Sequence, residues 1–293
     1  MRIPRGVFLP NLCTLGNGVC GFAALVKILK VDVVREDGVI RFQNPELFAT
    51  AAWLILLGMV FDVFDGRLAR LSGKTSDLGA QLDSFCDLTT FGLAPAALVI
   101  GLNRVYGDLW ARIVWFFSLA YFLGALLRLA RFNVENDHEE SAHLCFKGLP
   151  SPAAAGCVAS LVILHHYVLA FRQRELVWLG GFIQKESLQA AAGWIPFVLP
   201  FLALVLGYTM VSIRFKYDHV ASRLFNRWQT FETFVYLIFG SLLVFVVPEV
   251  VFPAVFIGYL ASAPLGALVR RIRRTDRDRE PEEVRELPPK VFP

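Results

Sequence analysis

Repeated apolar segments, each long enough to cross a bilayer, constrain this chain more than any other feature. A transmembrane helix needs about 20 mostly apolar residues, and the 293-residue sequence is 56% hydrophobic and only 18% charged. Its mean hydropathy is +0.54. These values predict an all-α integral membrane protein with about eight transmembrane helices. The predicted spans are about 11–30, 47–65, 82–103, 109–128, 152–171, 192–213, 230–247 and 250–269.

The spans and the charged stretches between them predict four parts. Residues 1–213 form a six-helix core, because the motifs described below all lie within it. Residues 214–229 are a basic and aromatic connector that can lie along the membrane surface, and residues 230–269 form an appended helical hairpin. Residues 270–293 are charged and contain proline, which predicts a flexible tail. Within the core, the polar loop 31–46 predicts a short β-hairpin.

The basic residues predict the orientation and the surroundings of the chain. Most Lys and Arg residues fall on the side that carries both termini, and the positive-inside rule places that side in the cytoplasm. The Arg cluster in the tail should contact anionic lipid headgroups. A net charge of +4, without a basic-aromatic platform or a zinc-ligand spacing, gives no support to a nucleic-acid partner. The five cysteines show no CxxC and are interpreted as reduced core residues.

Four carboxylates stand where two predicted spans meet a charged loop. Asp62 and Asp65 end the second span, and Asp83 and Asp87 begin the third. Spacings of three and four residues place each pair on one helix face. Acidic side chains at the end of a membrane helix are costly and repel one another, so they imply a bound partner. Hard carboxylate oxygens suit Mg²⁺, Mn²⁺ or Ca²⁺. The sequence therefore predicts a divalent-cation site, in which Asp87 is also placed to take a proton from an attacking hydroxyl.

The same segment matches the pattern D-x2-D-G-x2-A-R-x8-G-x3-D-x3-D, from Asp62 to Asp87, with no departure. This pattern resembles the signature of the CDP-alcohol phosphotransferases. The resemblance implies a reaction that depends on a divalent metal, Mg²⁺ or Mn²⁺, with up to two ions per site. It further implies that Asp87 is the general base, that the other three carboxylates are the principal metal ligands, and that the protein is a homodimer.

Six residues are candidate contacts for the nucleotide of a CDP-linked donor: Asn11, Thr14, Gly66, Ala69, Arg70 and Ser76. By the resemblance, Arg70 and Ser76 contact the diphosphate, and Asn11 and Thr14 contact the cytidine. Gly66 and Ala69 share a helix face with the carboxylate pair of Asp62 and Asp65. They leave room for a flat base and for close approach of a phosphate.

Further motifs resemble one branch of this superfamily, the bacterial and archaeal phosphatidylserine synthases. The motifs are NLCTLGNGVCGF at 11–22, DSFCDLTTFG at 83–92, ALLRLARFN at 125–133 and FKGLPSPAAAG at 146–156. Together the resemblance covers about residues 8–160. It implies transfer of the phosphatidyl group from CDP-diacylglycerol to L-serine with release of CMP, in a prokaryotic plasma membrane.

Three cations are candidates for binding the carboxylate of a serine acceptor. Arg128, Arg131 and Lys147 are predicted to gather near the cytoplasmic face of the acidic cluster, with Arg131 and Lys147 as the leading candidates and Arg128 next. An arginine can pair with a carboxylate through two parallel hydrogen bonds. The same three cations would also suit a phosphorylated acceptor, so glycerol phosphate or an inositol stays open as the acceptor alcohol.

A third hypothesis from a different class is a cation pathway in a transporter. Transporter sites usually lie near the middle of the bilayer, at broken helices. The four carboxylates are instead predicted near one membrane face, which favours the enzyme.

Overall fold

Long apolar helices make up most of the chain that the structure describes. The computed structural model describes residues 5–36, 39–72, 77–136, 145–170, 185–213, 216–218 and 231–279. The helices and strands in chain order are α1 (Arg5–Leu29), β1 (Val33–Glu36), β2 (Val39–Phe42), α2 (Glu46–Ser72), α3 (Asp77–Asp87), a π-helix (Leu88–Leu93), α4 (Ala94–Leu102), α5 (Asp108–Asn136), β3 (Cys145–Lys147), α6 (Ser151–Ala170), α7 (Lys185–Val211), β4 (Lys216–Asp218), α8 (Phe231–Val246) and α9 (Pro248–Arg279). The predicted all-α membrane fold is confirmed.

Seven segments within the described ranges are long and apolar enough to cross a membrane. They are Leu9–Leu29, Glu46–Leu68, Leu78–Leu102, Asp108–Val134, Ser151–Ala170, Ala190–Val211 and Pro248–Gly266. The remaining predicted span, 230–247, corresponds to α8, which has 16 residues. A helix of that length rises about 24 Å, less than the hydrocarbon core of about 30 Å. Pro248 begins the next helix, a position that proline favours, and thereby limits the length of α8.

The third span is one continuous rod made of α3, the π-helix and α4. It is the most buried of the seven spans, with 67% of its apolar window inside the structure. Small residues on the neighbouring helices permit this close packing. A Cβ atom on Gly58 of α2 would lie 2.6 Å from Thr90 Cγ2, and one on Gly21 of α1 would clash with Thr90 Oγ1. The π-helix therefore fits into a space that only glycine leaves free.

Two short antiparallel pairs of strands lie beside the helices. Strands β1 and β2 pair antiparallel, with Val33 opposite Phe42, so the predicted hairpin in the loop 31–46 is confirmed. Strands β3 and β4 also pair antiparallel. Gly148 follows β3 with φ of +92°, a left-handed conformation that glycine adopts readily. A Cβ atom there would lie 2.5 Å from the Met210 carbonyl oxygen, so this turn sets the start of α6 against the end of α7.

Helix α9 packs directly against α6. The Phe256 ring lies where a side chain on Gly156 would be, and Cys157 Sγ donates a hydrogen bond to the Phe256 carbonyl oxygen at 3.4 Å. Helix α9 also continues to Arg279, so residues 270–279 of the predicted tail are helical. Arginine is a good helix former, which accounts for this extension. Of the predicted connector, the structure describes only residues 216–218, which form β4. The four-part division itself stays a prediction.

Candidate active site

The acidic cluster lies between the second half of α2 and the second half of α3, which ends at Asp87. Its members are Asp62, Asp65, Asp83 and Asp87. One carboxylate oxygen from each of Asp62, Asp83 and Asp87 lies within 4.8 Å of the other two. Asp65 follows Asp62 by almost one helical turn and interacts electrostatically with Asp83. The fold thus brings together both carboxylate pairs that the sequence pattern singled out.

The acidic cluster is removed from water to an unusual degree for carboxylates. Asp65 is 6% exposed and Asp87 is 9% exposed, while Asp62 and Asp83 are half-buried. Burying carboxylates beside one another is costly unless their charge is compensated. Among the described residues, Asp65 Oδ2 and Asp83 Oδ1 are buried oxygens without a hydrogen-bond partner. Such orphaned acceptors need a cation or a donor. The donor set, hard oxygens in a close group, therefore fits a divalent cation.

Asn17 of α1 holds the last carboxylate of the acidic cluster in place. The Asn17 side chain is fully buried, and its Nδ2 donates a hydrogen bond to Asp87 Oδ1 at 2.8 Å. This contact joins residues 70 positions apart in the chain. Asn17 was not among the residues predicted from the sequence. The available signal was its position three residues after Thr14, which continues a polar face on an otherwise apolar span.

The π-helix that follows Asp87 is fixed to the same asparagine. Thr90 Oγ1 donates a hydrogen bond to the Asn17 carbonyl oxygen at 2.9 Å. Gly58 gives both residues their space, because a Cβ atom on Gly58 would lie 2.9 Å from Asn17 Oδ1. Short π-helical segments often mark functional sites. Two hydrogen bonds with Asn17, one to Asp87 and one from Thr90, therefore fix Asp87 and the π-helix against α1.

The predicted cytidine contacts lie on α1 beside the acidic cluster. Thr14 is buried, and its hydroxyl is in hydrogen-bonding range of the Pro10 carbonyl oxygen, at 3.2 Å, and of the Asp65 carboxylate. Asn11 lies one turn earlier and is half-buried. The polar face of α1 therefore continues from the acidic cluster towards the beginning of the helix. The contact of Asn11 and Thr14 with the cytidine stays a prediction.

The predicted diphosphate contacts lie near the end of α2. Gly66 directly follows Asp65, and no described atom outside its own stretch of helix lies within 4 Å of where its Cβ atom would be. The open space beside Gly66 suits the close approach of a ligand. Ala69 and Arg70 lie on the last turns of α2, but their side chains are outside the described part of the chain. Ser76 also lies outside the described residues.

A half-buried arginine of α5 lies within electrostatic range of the acidic cluster. Arg128 of α5 is half-buried, and its Nη1 donates a hydrogen bond to Ser151 Oγ at 2.9 Å. Its guanidinium also interacts electrostatically with Asp87, with Asp62 and with Tyr259 of α9. Arg128 thus interacts electrostatically with two members of the acidic cluster. Neither Ser151 nor Tyr259 was predicted from the sequence, because both meet Arg128 only through helix packing.

The other two predicted cations are placed by nearby elements. Arg131 lies almost one turn after Arg128 and is half-buried. Lys147 belongs to β3, and its side chain is outside the described part of the chain. A hydrogen-bonded pair fixes the end of α5 to α3: Asn133 Nδ2 donates to Ser84 Oγ at 2.9 Å. This pair sets the helix that carries the arginines against the helix that carries Asp83 and Asp87.

Comparison with known proteins finds a matching family and several similar sequences. The profile of the CDP-alcohol phosphatidyltransferase family matches residues 7–202, which include the acidic cluster, Asn17 and Arg128. A yeast protein from Saccharomyces cerevisiae, named CDP-diacylglycerol–serine O-phosphatidyltransferase, is 35% identical over 164 residues, covering 54% of each chain. Proteins of the same name from Bacillus subtilis and Methanocaldococcus jannaschii are similar as well.

The coverage of these relatives differs. The Bacillus subtilis protein is 33% identical over 162 residues, which is 55% of this chain and 79% of that protein. The Methanocaldococcus jannaschii protein is 39% identical over 102 residues, which is 35% of this chain and 45% of that protein. The chain therefore spans about half the length of the yeast and archaeal relatives and most of the Bacillus one.

Proposed function

Because the chain belongs to the CDP-alcohol phosphatidyltransferase family, we propose that it transfers the phosphatidyl group of CDP-diacylglycerol to the hydroxyl of L-serine and releases CMP. The observation that carries this proposal is the acidic cluster, in which three carboxylates converge within 4.8 Å at the end of a membrane helix bundle. The serine acceptor is supported by the names of the relatives from yeast, bacteria and archaea.

Members of this family depend in general on a divalent metal, and the acidic cluster supplies the ligands for one. Asp62, Asp65 and Asp83 would hold one or two ions, Mg²⁺ or Mn²⁺ with Ca²⁺ as an alternative, and Asp87 lies close enough to share in binding. Such an ion, when bound, neutralises phosphoryl charge and stabilises the leaving oxygen. Among the described residues, Asp65 Oδ2 and Asp83 Oδ1 have no hydrogen-bond partner, which leaves both oxygens available to such an ion.

Asp87 is proposed as the general base. Its Oδ1 accepts a hydrogen bond from Asn17, which holds the carboxylate in one orientation. In the proposed step the proton of the serine hydroxyl passes to Asp87, and the serine oxygen forms a bond to the phosphorus that carries diacylglycerol. The bond between that phosphorus and the CMP oxygen breaks, and CMP leaves. General-base catalysis of this kind contributes about 10²–10⁴ in rate.

The substrates are proposed to be held from three directions. Asn11 and Thr14 on α1 would contact the cytidine, and the end of α2 with Gly66, Ala69 and Arg70, followed by Ser76, would contact the diphosphate. The serine carboxylate would pair with the basic side chains that follow on α5 and β3. Among them Arg128 leads, because its guanidinium already faces Asp87 and Asp62. Arg131 and Lys147 are the further candidates.

We also propose in which membrane, in which orientation and in which oligomeric state the site works. Its position at one end of the bundle suits a donor whose headgroup lies at the membrane interface while its acyl chains stay in the leaflet. The distribution of basic residues favours both termini and the acidic cluster on the cytoplasmic side, and the resemblance to the bacterial and archaeal branch favours a prokaryotic plasma membrane. The family resemblance favours a homodimer.

The test is an assay of acceptor choice with purified full-length protein. CDP-diacylglycerol in detergent micelles is offered with L-serine, ethanolamine, glycerol 3-phosphate or inositol, and both CMP and the lipid product are measured. We expect CMP and phosphatidylserine with L-serine, and little product with ethanolamine, which lacks the carboxylate. Product with glycerol 3-phosphate or inositol alone would move the protein to another acceptor. Ion flux in vesicles without CMP release would support the transporter hypothesis instead.

A further inference from the structure

Helix α9 lies outside the 7–202 segment that matches the family, yet it packs directly on the core. Its Phe252 ring meets the Trp53 ring of α2 at 5.9 Å between centroids, with the planes at 73°. One turn later, the Phe256 ring occupies the space beside Gly156 of α6. These two aromatic contacts fix both the position and the rotation of α9 on the α2–α6 surface.

This packing carries the next turn of α9 towards the acidic cluster. The start of α9 lies near the end of α6, where Tyr167 interacts with Glu249, so the two helices run antiparallel. Residues after Phe256 therefore lie beside the first turns of α6. Tyr259 is half-buried there, and its phenol interacts electrostatically with the Arg128 guanidinium. Ser151, the first residue of α6, accepts a hydrogen bond from the same guanidinium.

We propose that Tyr259 is a positioning residue for the acceptor substrate, and that α9 completes an active site whose other parts all lie in the family segment. A guanidinium carries five N–H donors in a rigid fork. Ser151 of α6 accepts a hydrogen bond from it, and Tyr259 of α9, Asp87 and Asp62 lie within electrostatic range of it. Held between these groups, the fork of Arg128 keeps a fixed direction towards the substrate carboxylate. This inference rests on the proposed role of Arg128 in binding serine.

The alternative is that Tyr259 only packs α9 against α6. The two roles differ in what the phenol oxygen does, because a phenylalanine keeps the ring and its packing but removes the oxygen. Tyr259→Phe should therefore leave the thermal stability near that of the wild type. Tyr208 of α7 is 62% exposed and serves as the matched control, since Tyr208→Phe removes a hydroxyl elsewhere in a membrane helix.

The experiment measures steady-state kinetics of purified full-length protein, normalised to folded protein, with L-serine and CDP-diacylglycerol each varied. Tyr259→Phe should raise the KM for L-serine by up to about ten-fold, because the guanidinium loses a polar neighbour that helps to orient it. Its kcat and its KM for CDP-diacylglycerol should stay near the wild-type values, and Tyr208→Phe should match the wild type throughout. In an Arg128→Met background, adding Tyr259→Phe should raise the serine KM no further.

The outcomes separate this inference from the proposed function. An equal rise in serine KM in both backgrounds would show that Tyr259 acts through packing, which overturns the inference. If Arg128→Met raises the serine KM and Tyr259→Phe does not, the inference fails while the serine function stands. If the wild type uses serine but Arg128→Met leaves its KM unchanged, the proposed role of Arg128 fails and the inference falls with it.

Discussion

The two sides of the candidate site are built in different ways. The acidic cluster comes from two helices that are adjacent in the chain, and each pair of carboxylates sits within one helical turn. The opposite side, which we call the basic side, consists of Arg128 with Ser151 and Tyr259, and each comes from a different helix. The spacing of residues within a helix determines the first arrangement, whereas the packing of distant helices determines the second.

This difference suggests a division of labour between chemistry and acceptor choice. The acidic cluster lies within the segment that matches the family, and its carboxylates are proposed to hold the ion that neutralises phosphoryl charge. The basic side includes a residue from α9, beyond the family segment. Changes to the acidic cluster should therefore reduce turnover with any acceptor, whereas changes to the basic side should alter the affinity for one acceptor.

The largest effect is expected from the metal ligands. Asp83→Asn removes a charge from a carboxylate with an orphaned buried oxygen, and it should lower kcat at least about 10³-fold because several kcal/mol of phosphoryl-charge stabilisation is lost. CMP release is measured across a titration of Mg²⁺ and Mn²⁺, and excess chelator should abolish the wild-type activity. Glu46→Gln, at the other end of α2, is the control and should keep full activity. Undiminished activity in chelator would exclude a divalent-metal mechanism.

A somewhat smaller effect is expected at the proposed base. Asp87→Asn keeps the size of the side chain but loses the proton acceptor, so kcat should fall about 10²–10⁴-fold. The affinity for CDP-diacylglycerol, measured by equilibrium binding, should change much less, because the lost interaction belongs to the transition state. A variant that binds the donor poorly but turns over normally would assign Asp87 to donor binding and leave the base unidentified.

The sequence predicted the parts of the fold that depend on residues close in the chain and missed those that depend on the packing of distant helices. Hydropathy and turn chemistry predicted six spans, the last span and the hairpin of β1 and β2, because these depend on residues close in sequence. The π-helix could not be predicted, since it depends on Thr90 packing against Gly21 and Gly58 on two other helices. The length of α8 was overestimated because apolar composition continues beyond it, while Pro248 starts a new helix.

The candidate site was predictable to the extent that its residues form local patterns. The four carboxylates stand at helical spacings, and the fold places three of them within 4.8 Å of one another, with Asp65 in electrostatic range of Asp83. Asn17 carried a weaker signal, a third polar residue on one face of α1. Ser151 and Tyr259 carried none, because a serine at a helix start and a tyrosine in an apolar span are ordinary. Their meeting with Arg128 depends on how α5, α6 and α9 pack, which no local pattern encodes.

On the basic side the expected change is in the acceptor KM. Arg128→Met should raise the KM for L-serine roughly ten- to a hundred-fold, because a substrate carboxylate loses a charge-assisted partner worth about 1.5–3 kcal/mol. The KM for CDP-diacylglycerol should stay near the wild-type value. Arg131→Met and Lys147→Met are titrated beside it to rank the three cations. Arg112→Met, on the exposed first turns of α5, is the matched control. If serine kinetics are unchanged in all three, the carboxylate is bound elsewhere.

The smallest expected effect tests whether the acidic cluster needs support from α1. Asn17→Ala removes the donor to Asp87 Oδ1 while the backbone carbonyl that accepts from Thr90 stays in place. We expect kcat to fall about ten-fold, the cost of one lost hydrogen bond to a charged group, with both KM values nearly unchanged. Asn44→Ala is the control, because Asn44 also bonds through its side chain, to Asp32 and Lys30 beside the β1–β2 hairpin. Because Asn17 touches the base but none of the basic side, a change confined to the serine KM would contradict the division between the two sides.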